Sequence, residues 1–195
     1  AIRMSDVVIL VLDAKDKLNK QDLILAKRAI DYGKSIVISL NKWDLIEDKI
    51  NLKSYFSEKI KISLSQLNDV KILPTSCFKI YGIDKLLEDI ISVYDNSHNR
   101  ISTSDLNKWF KVLSEKHPAP MVKRKKNSLK YISQVEVLPP RFIIFCSYPK
   151  DIPSSYVKYI KNNLKKAFNF TGVNIIVNLK TVSYTHLTLP TTRHG

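Results

Sequence analysis

Four consecutive residues carry the most specific chemistry in the sequence: Asn41, Lys42, Trp43 and Asp44 follow an apolar, β-branched stretch at residues 35–40. The carboxylate of Asp44 could accept hydrogen bonds from the imino and amino hydrogens of guanine at once, each worth roughly 1.5–3 kcal/mol because the acceptor is charged. Adenine lacks that pair of donors and would leave the carboxylate unpaired. Asn41 would contact another edge of the base, and Lys42 would lay its methylene stem across the ring. The run therefore predicts a guanine-reading site.

A second short motif supports the first. Thr75, Ser76 and Cys77 follow the next apolar stretch, and the small residues at positions 76 and 77 would offer a backbone N–H to the carbonyl oxygen of guanine. Because parallel sheets bind ligands at the carboxyl ends of their strands, both motifs are expected at one edge of the sheet. The competing interpretation is an ordinary turn from a strand to a helix, with Asp44 as the helix cap.

The sequence lacks the other half of a nucleotide site. Its glycines are Gly33, Gly82, Gly172 and Gly195, so it contains no Gly-rich loop of the kind that cradles phosphates and places magnesium. Phosphoryl transfer depends on that loop, its lysine, the metal and a residue that orients water. We therefore predict no catalytic residue, no metal ligand and no GTP hydrolysis in this chain by itself.

The guanine motifs belong to an alternating pattern of strands and helices in the first half of the chain. The stretch at residues 7–12 is continuously apolar, which is typical of a strand covered on both faces. In the helix predicted at residues 82–94, Leu87 and Ile91 are expected to face inward with its other apolar residues. The order β-α-β-α-β-α predicts a parallel sheet. The remaining elements predicted here are strands at residues 35–40 and 70–73 and helices that end at Gly33 and span residues 52–64.

The pattern changes after the polar stretch at residues 95–100, where we place a domain boundary. Ser102 and Asp105 are spaced to cap a helix, Pro153 precedes another, and the strands around them give the order α-β-β-α-β. Residues 181–195 are rich in threonine and lack periodicity, which indicates a non-native tail outside the fold. The strands predicted for this part are residues 129–137, 141–147 and 173–179.

Charge divides the chain at the same place. Residues 1–95 hold 15 lysines and arginines against 14 acidic residues, whereas residues 96–180 hold 16 against 4. Such a basic segment favours a polyanionic binding partner, and RNA is the usual candidate in the cytosol. The alternative is a basic surface that is merely solvated. The residues predicted to contact RNA are Lys123, Arg124, Lys125 and Lys126 in a loop and Lys158, Lys161, Lys165 and Lys166, whose spacing can line one helical face.

Several classes of protein are disfavoured by composition. The longest wholly apolar run, at residues 7–12, is far shorter than the roughly 20 residues of a membrane-spanning helix, so no membrane partner is expected. Cys77 and Cys146 lie far apart and in no metal-ligand spacing, which argues against a disulfide or a zinc site and fits a reducing cytosol. None of the 4 histidines stands in a catalytic or metal-binding arrangement.

The sequence resembles a known family, the bacterial GTPases called Der or EngA, over residues 1–180. The resemblance implies the C-terminal half of a P-loop-type G domain at residues 1–96, followed by a small α+β domain of the K-homology type (KH-like domain) at residues 97–180. The stretches that carry it are SDVVILVLDA (5–14), QDL (21–23), NKWDL (41–45), GIDKL (82–86), RISTSDLNKW (100–109) and KYISQVEVLPPRFIIF (130–145).

For function, the resemblance implies a cytoplasmic protein that binds GTP or GDP with Mg²⁺ and hydrolyses GTP as a full-length protein. It also implies a role in assembling the large ribosomal subunit, with rRNA as a partner. A first G domain, and the phosphate loop and switch regions of the second, would lie upstream of residue 1. Cys77 stands where the family usually has alanine. The residues implied in guanine binding are Asn41, Lys42, Trp43, Asp44, Ser76 and Cys77.

Two alternatives remain open at this point. One is an Era-like GTPase, which joins a single G domain to a functional K-homology domain; the Gly-x-x-Gly loop of such a domain is missing from this sequence, which argues against it. The other is a non-catalytic RNA-binding adaptor whose α/β half is structural. Nucleotide binding by the complete protein separates the GTPases from the adaptor, which should show none.

Overall fold

The computed structural model describes residues 2–64, 69–121 and 127–182. The predicted RNA contacts at Lys123, Arg124, Lys125 and Lys126 therefore lie outside the described residues, as do residues 183–195 of the predicted tail. The described chain forms two three-stranded sheets, one in each half of the sequence.

The first sheet is parallel, with the strand order β1-β2-β3, and a helix follows each strand as predicted. Helix α1 begins at a reciprocal cap, in which the Asn19 side chain accepts from the Asp22 N–H and the Asp22 carboxylate accepts from the Asn19 N–H. The elements are β1 (Val7–Asp13), α1 (Lys20–Asp31), β2 (Ser35–Asn41), α2 (Lys49–Ser63), β3 (Lys71–Pro74) and α3 (Ile83–Ser97).

Burial differs sharply between neighbouring strands of this sheet. Strand β2 lies in the centre, and all its residues except Asn41 are buried. The sequence predicts that β1 is covered on both faces, but Ile9 and Val11 are 43% and 59% exposed. The reason is that β1 is an edge strand of the described sheet, so one side of it has no neighbour there.

Helix α3 departs from the predicted burial in the same way. Leu86 and Ile90 pack against a buried cluster, but Leu87 and Ile91, which the sequence predicts to face inward, are 53% and 60% exposed. Apolar side chains cover more than one side of this 15-residue helix, and the three strands described for this sheet cover only one. The inward assignment of Leu87 and Ile91 is therefore wrong in the described part of the chain.

The second sheet has mixed pairing and one buried face. Strands β4 and β5 are antiparallel and β5 and β6 are parallel, in the order β4-β5-β6. Ile132, Phe142 and Ile144 alternate with more exposed residues and enter a core that they share with α4 and α5. The predicted order α-β-β-α-β is confirmed. The elements are α4 (Thr103–Lys116), β4 (Leu129–Glu136), β5 (Arg141–Cys146), α5 (Ser154–Ala167) and β6 (Ile176–Thr181).

A set of polar contacts, here called the seam, joins the two sheets and consists of Asp69, Lys165, Gly172, Ser35 and Asn174. Asp69, just before β3, accepts hydrogen bonds from the Lys165 ammonium and, at 2.9 Å, from the Gly172 N–H. Ser35 Oγ, at the start of β2, accepts from the Asn174 N–H at 3.2 Å. The seam therefore lies at the amino-terminal ends of β2 and β3, opposite the ends that carry the predicted guanine motifs.

Within the described residues, every helix falls short of the length or the apolar character that a bilayer-spanning segment requires. Both cysteines carry free thiols: Cys77 is exposed, and Cys146 is buried in the second sheet. Burial raises the pKa of the Cys146 thiol above its ordinary value.

Candidate functional site

The two predicted motifs meet at the carboxyl ends of β2 and β3. Asn41 is the last residue of β2, and Lys42 turns the chain sharply with a left-handed backbone (φ 62°). A short 3₁₀ turn, Trp43–Leu45, follows. The Trp43 indole is only 5% exposed and belongs to the hydrophobic core beneath the sheet. The turn therefore anchors itself through Trp43 and leaves its neighbours Lys42 and Asp44 at the surface.

Hydrogen bonds tie the loop after β2 to the loop after β3. The Trp43 N–H donates to the Thr75 carbonyl at 3.0 Å, and the Cys77 N–H donates to Asn41 Oδ1 at 3.2 Å. Beneath them, the hydroxyls of Ser39 and Thr75 are 2.7 Å apart in the buried sheet. The side chain of Asn41 thus links the two motifs.

The two loops enclose one side of an open cavity of about 550 Å³. Asp44 reaches it with a carboxylate that has no hydrogen-bond or ion-pair partner among the described residues. Of the six predicted guanine-binding residues, Trp43 alone is missing from the lining, because its side chain is in the core. The lining residues are Asn41, Lys42, Asp44, Leu45, Ser76, Cys77, Phe78 and Lys79.

The predicted backbone donors after β3 are already engaged. The Ser76 N–H donates to the Tyr81 carbonyl at 2.9 Å, and the Cys77 N–H donates to Asn41. The Ser76 hydroxyl is buried and accepts from the Lys79 N–H at 3.0 Å, which closes the loop into a tight turn. A guanine carbonyl would therefore have to replace Asn41 as the acceptor of the Cys77 N–H.

An ion pair between Lys42 and Asp13 flanks the cavity. The hydrogen bond to Asp13 raises the pKa of Lys42, and the same bond, together with the Lys15 N–H at 3.0 Å, lowers the pKa of Asp13. Sequence reasoning did not include Asp13 in the site. The sequence did contain a signal for Asp13. It is the last residue of β1, as Asn41 is the last residue of β2, and the two residues are paired in the parallel register.

Phe78 and Lys79 are two further lining residues that the sequence analysis did not single out. The Phe78 ring is 84% exposed, and the Lys79 ammonium lies 5.4 Å from its centroid. Ile80 follows with a left-handed backbone (φ 52°), an unfavourable conformation for a β-branched residue. The sequence did contain a signal for Phe78, because an aromatic residue stands directly after the predicted site residues Ser76 and Cys77.

The lysines of α5 do not form the single exposed face that their spacing predicts. Lys158 and Lys166 are exposed, but Lys165 is buried and paired with Asp69. Lys161 is half-buried, and desolvation, followed by the charge of Lys165, lowers its pKa to about 8. The prediction of an exposed face is wrong at Lys165, because helical spacing cannot reveal an acidic partner 96 residues away.

Two family profiles match successive parts of the chain. Residues 1–96 match the GTP-binding domain of elongation factor Tu, and residues 100–180 match the KH-domain-like C-terminal domain of EngA bacterial GTPase enzymes. The GTPase Der of Brucella suis is 40% identical over 181 residues, which make up 93% of this chain and 38% of that relative. The chain belongs to the Der (EngA) family.

A second relative fits the same assignment. The GTPase Der of Mesorhizobium japonicum is 38% identical over 181 residues, and the chain spans 38% of that relative's length. Among solved structures, the chain is similar to Era in complex with MgGDPNP and nucleotides 1506–1542 of 16S ribosomal RNA, with 15% identity, a TM-score of 0.40, and coverage of 94% of this chain and 68% of Era. A likeness at that level does not bear on function, whereas the Der relatives carry the family assignment.

Proposed function

We propose that this chain is the guanine-selecting part of a GTP-binding protein. The observation that carries the proposal is the carboxylate of Asp44, which has no partner in the described part of the chain and lies in a cavity that Asn41 and Lys42 also line. A free carboxylate suits a ligand with two adjacent N–H donors, and the imino and amino groups of guanine form such a pair. An adenine base would leave the Asp44 charge without compensation.

The neighbouring side chains complement this role. Asn41 holds the loop after β3 in place through the Cys77 N–H. Asp13 anchors the Lys42 ammonium, so that the methylene stem of Lys42 is available to cover one face of the base. Phe78 offers an exposed aromatic ring to the other face. Base selection therefore needs only residues that this chain contains.

Phosphate binding and hydrolysis require residues that this sequence does not contain. It has no Gly-rich phosphate loop, and within the described residues no group of three or more His, Cys, Asp or Glu side chains could hold a metal ion. Mg²⁺ in Der-like proteins supplies charge neutralisation for the phosphates of GTP or GDP. We infer that the complete protein hydrolyses GTP with Mg²⁺, and that this chain alone does not.

The cellular role proposed for the complete protein is ribosome biogenesis in the cytoplasm, in the assembly of the large subunit on its rRNA. Two findings support it: membership of the Der family and the excess of basic over acidic residues, 16 against 4, at residues 96–180. We also retain the proposed division into a partial G domain at residues 1–96, a KH-like domain at 97–180 and a non-native tail at 181–195.

The direct test replaces Asp44 by asparagine in the complete protein. An amide keeps one acceptor but adds a donor, so the Asp44→Asn variant is expected to lose roughly tenfold or more in GTP affinity and to gain affinity for xanthosine triphosphate, whose extra carbonyl accepts from the amide. Competition titrations with both nucleotides measure the change. The matched control is Glu47→Gln, which removes a nearby carboxylate outside the cavity lining.

Unchanged preference for GTP over xanthosine triphosphate in Asp44→Asn would reject the assignment of Asp44. A complete protein that binds no guanine nucleotide would instead identify an RNA-binding adaptor. A separate assay of the 195-residue chain should detect no GTP turnover, and measurable turnover would show that phosphate chemistry does not depend on the missing loop.

A further inference from the structure

Within residues 2–64, 69–121 and 127–182, helices cover only one face of the second sheet. Two rows of three residues cross the other face, here called the open face: Tyr131, Phe145 and Lys180 form the first row, and Ser133, Ile143 and Asn178 form the second. Each row contains one residue from each strand, in register. All six alternate along their strands with residues directed to the core, so they share the side of the sheet away from α4 and α5.

The first row presents a stacked aromatic pair. The rings of Tyr131 and Phe145 lie 4.3 Å apart at an angle of 18°. Tyr131 is 42% exposed although it is in a paired strand. Since Phe145 covers one side of the Tyr131 ring, the remaining exposed surface of this planar pair is available to a further ring. Such a surface can extend the stack with a nucleic-acid base.

The second row places polar groups on both sides of an apolar centre. Ile143 lies on the central strand, Ser133 on β4 and Asn178 on β6. The Ser133 hydroxyl and the exposed Asn178 amide can each donate and accept hydrogen bonds, while Ile143 supplies apolar contact. This combination suits bases, which have apolar faces and polar edges.

Two lysines beside the open face have no acidic partner among the described residues. Lys180 lies beside Phe145 on the parallel strand, and Lys130 is exposed at the irregularity in β4 next to Tyr131. Among the described residues, neither lysine has a carboxylate within ion-pair distance, whereas Arg141 on the same sheet pairs with Glu136 at 2.9 Å. Free lysines beside a stacking surface favour a ligand with a phosphate backbone. They disfavour a protein partner, because lysine is depleted in protein interfaces.

We propose that the open face binds single-stranded RNA, with a base stacked on Tyr131 and the backbone phosphates near Lys130 and Lys180. The proposal rests on the RNA-contacting role proposed above and moves the contact from helix α5 to the sheet. Lys158 and Lys166 lie on helix α5 and not on the sheet that carries the stacked pair, and Lys165 is committed to Asp69. Unpaired bases are needed because only they can leave their own stack.

The experiment titrates the 195-residue chain into a fluorescein-labelled single-stranded RNA of mixed sequence and reads fluorescence anisotropy. Tyr131→Ala is expected to weaken binding about tenfold, as the loss of one stacked base implies. Tyr131→Trp should retain the affinity of the unchanged chain. The matched control is Tyr148→Ala, since Tyr148 is 41% exposed in the same half of the chain but lies outside the open face.

A second variant tests the charge and leaves the stack in place. Lys180→Gln should lower the slope of log affinity against log salt by about 0.7, the amount expected for one phosphate contact on a single strand. The exposed Lys116, at the end of α4, provides the control of equal charge change, Lys116→Gln. This measurement remains decisive even where Tyr131→Ala reduces the folded fraction.

Three results would overturn the proposal. The first is equal RNA affinity for Tyr131→Ala and Tyr148→Ala together with equal salt slopes for the two lysine variants. The second is equal binding to the duplex form of the same RNA. The third is a Tyr131-dependent dimer in sedimentation, which would identify a second copy of the chain as the occupant. Guanine selectivity is measured separately through Asp44, so any of these outcomes leaves the nucleotide proposal intact.

Discussion

Two lysine–aspartate pairs, one at each end of the first sheet, show how surroundings determine what an ion pair does. At the cavity, Lys42 pairs with Asp13, and their side chains are 53% and 26% exposed. At the seam, Lys165 pairs with Asp69, and their side chains are 7% and 29% exposed. Water stabilises the separated partners of the first pair but not Lys165 of the second. The cavity pair can therefore adjust to a ligand, whereas the seam pair holds the two sheets together.

The pKa values of the two lysines differ in the same sense. The hydrogen bond to Asp13 raises the pKa of Lys42. Desolvation lowers the pKa of Lys165, and its contact with Asp69 offsets this effect only in part. Identical partner chemistry thus produces opposite shifts, because desolvation is strong only at the seam. Substitutions at the two pairs and beside them test whether desolvation causes this difference.

The largest effect is expected from removing Asp69. The variant Asp69→Ala leaves the buried Lys165 ammonium without its counter-charge and the Gly172 N–H without its acceptor. We expect a loss of about 3 kcal/mol in the free energy of unfolding, at the lower end for a broken buried pair because Asp69 is partly exposed. Urea unfolding measures it. Asp16→Ala, at an exposed position, is the control and should change stability little.

The double variant Asp69→Leu with Lys165→Met sharpens the interpretation. Replacing both charges by apolar groups removes the desolvation cost, so most of the lost stability should return. A double variant as unstable as Asp69→Ala would show that the seam depends on hydrogen bonding to Gly172 rather than on charge.

A smaller loss is expected from Gly172→Ala. Gly172 has a left-handed backbone (φ 76°), and a Cβ atom there would lie 2.8 Å from Cγ2 of Val93. The combination of backbone strain and close contact should cost about 2 kcal/mol. Thermal unfolding of this variant beside Thr171→Ala, its exposed neighbour, provides the measurement. Equal unfolding midpoints for the two variants would mean that neighbouring residues move to accommodate the added methyl group.

A pH dependence follows from Lys161, whose pKa is lowered to about 8 by desolvation and the neighbouring charge of Lys165. An unfolded lysine keeps its proton to about pH 10. Between about pH 8 and 10 the unfolded chain therefore binds more protons than the folded chain, and the free energy of unfolding should rise with pH. Chemical unfolding at a series of pH values tests this, and Lys161→Gln should flatten the rise. Equal pH profiles for both proteins would contradict the shifted pKa.

The smallest effect is expected at the cavity pair. Asp13→Asn removes the partner of Lys42 but leaves both groups in contact with water, so the unfolding midpoint should not change measurably. Guanine nucleotide affinity of the complete protein should fall slightly, because the Lys42 stem is no longer held in place. A clear loss of stability would show that this pair resembles the seam pair after all.

The sequence predicted the cavity better than it predicted the seam, and locality explains why. Asn41 and Asp44 are adjacent in sequence, and strand direction alone places the loop of Ser76 beside them. The Asp69–Lys165 pair depends on how α5 lies against the loop before β3, which neither periodicity nor composition encodes. Helix capping is also predictable from the sequence. The Ser102 hydroxyl accepts a hydrogen bond from the Asp105 N–H at 3.1 Å, as the spacing of these residues predicts.

The sequence also did not predict which residues are buried in elements at the edge of the sheet. Continuous apolar stretches indicate strands and helices correctly, but they do not say which neighbours cover them. Ile9 and Val11 on β1 and Leu87 and Ile91 on α3 are exposed in the described part of the chain. The burial predicted for β2, which has a strand on each side, is confirmed.

Strand β2 connects both regions of the comparison. Ser35, at its first residue, belongs to the seam and accepts a hydrogen bond from Asn174, and Asn41, at its last, holds a loop of the cavity proposed to bind guanine. Seven residues of extended chain span about 20 Å. Because the strand is buried along its length and cannot bend without breaking its pairing on both sides, it acts as a spacer of fixed length. A nucleotide held at one end and an RNA held by the second sheet would keep a constant separation, so any partner that recognises both must match that distance.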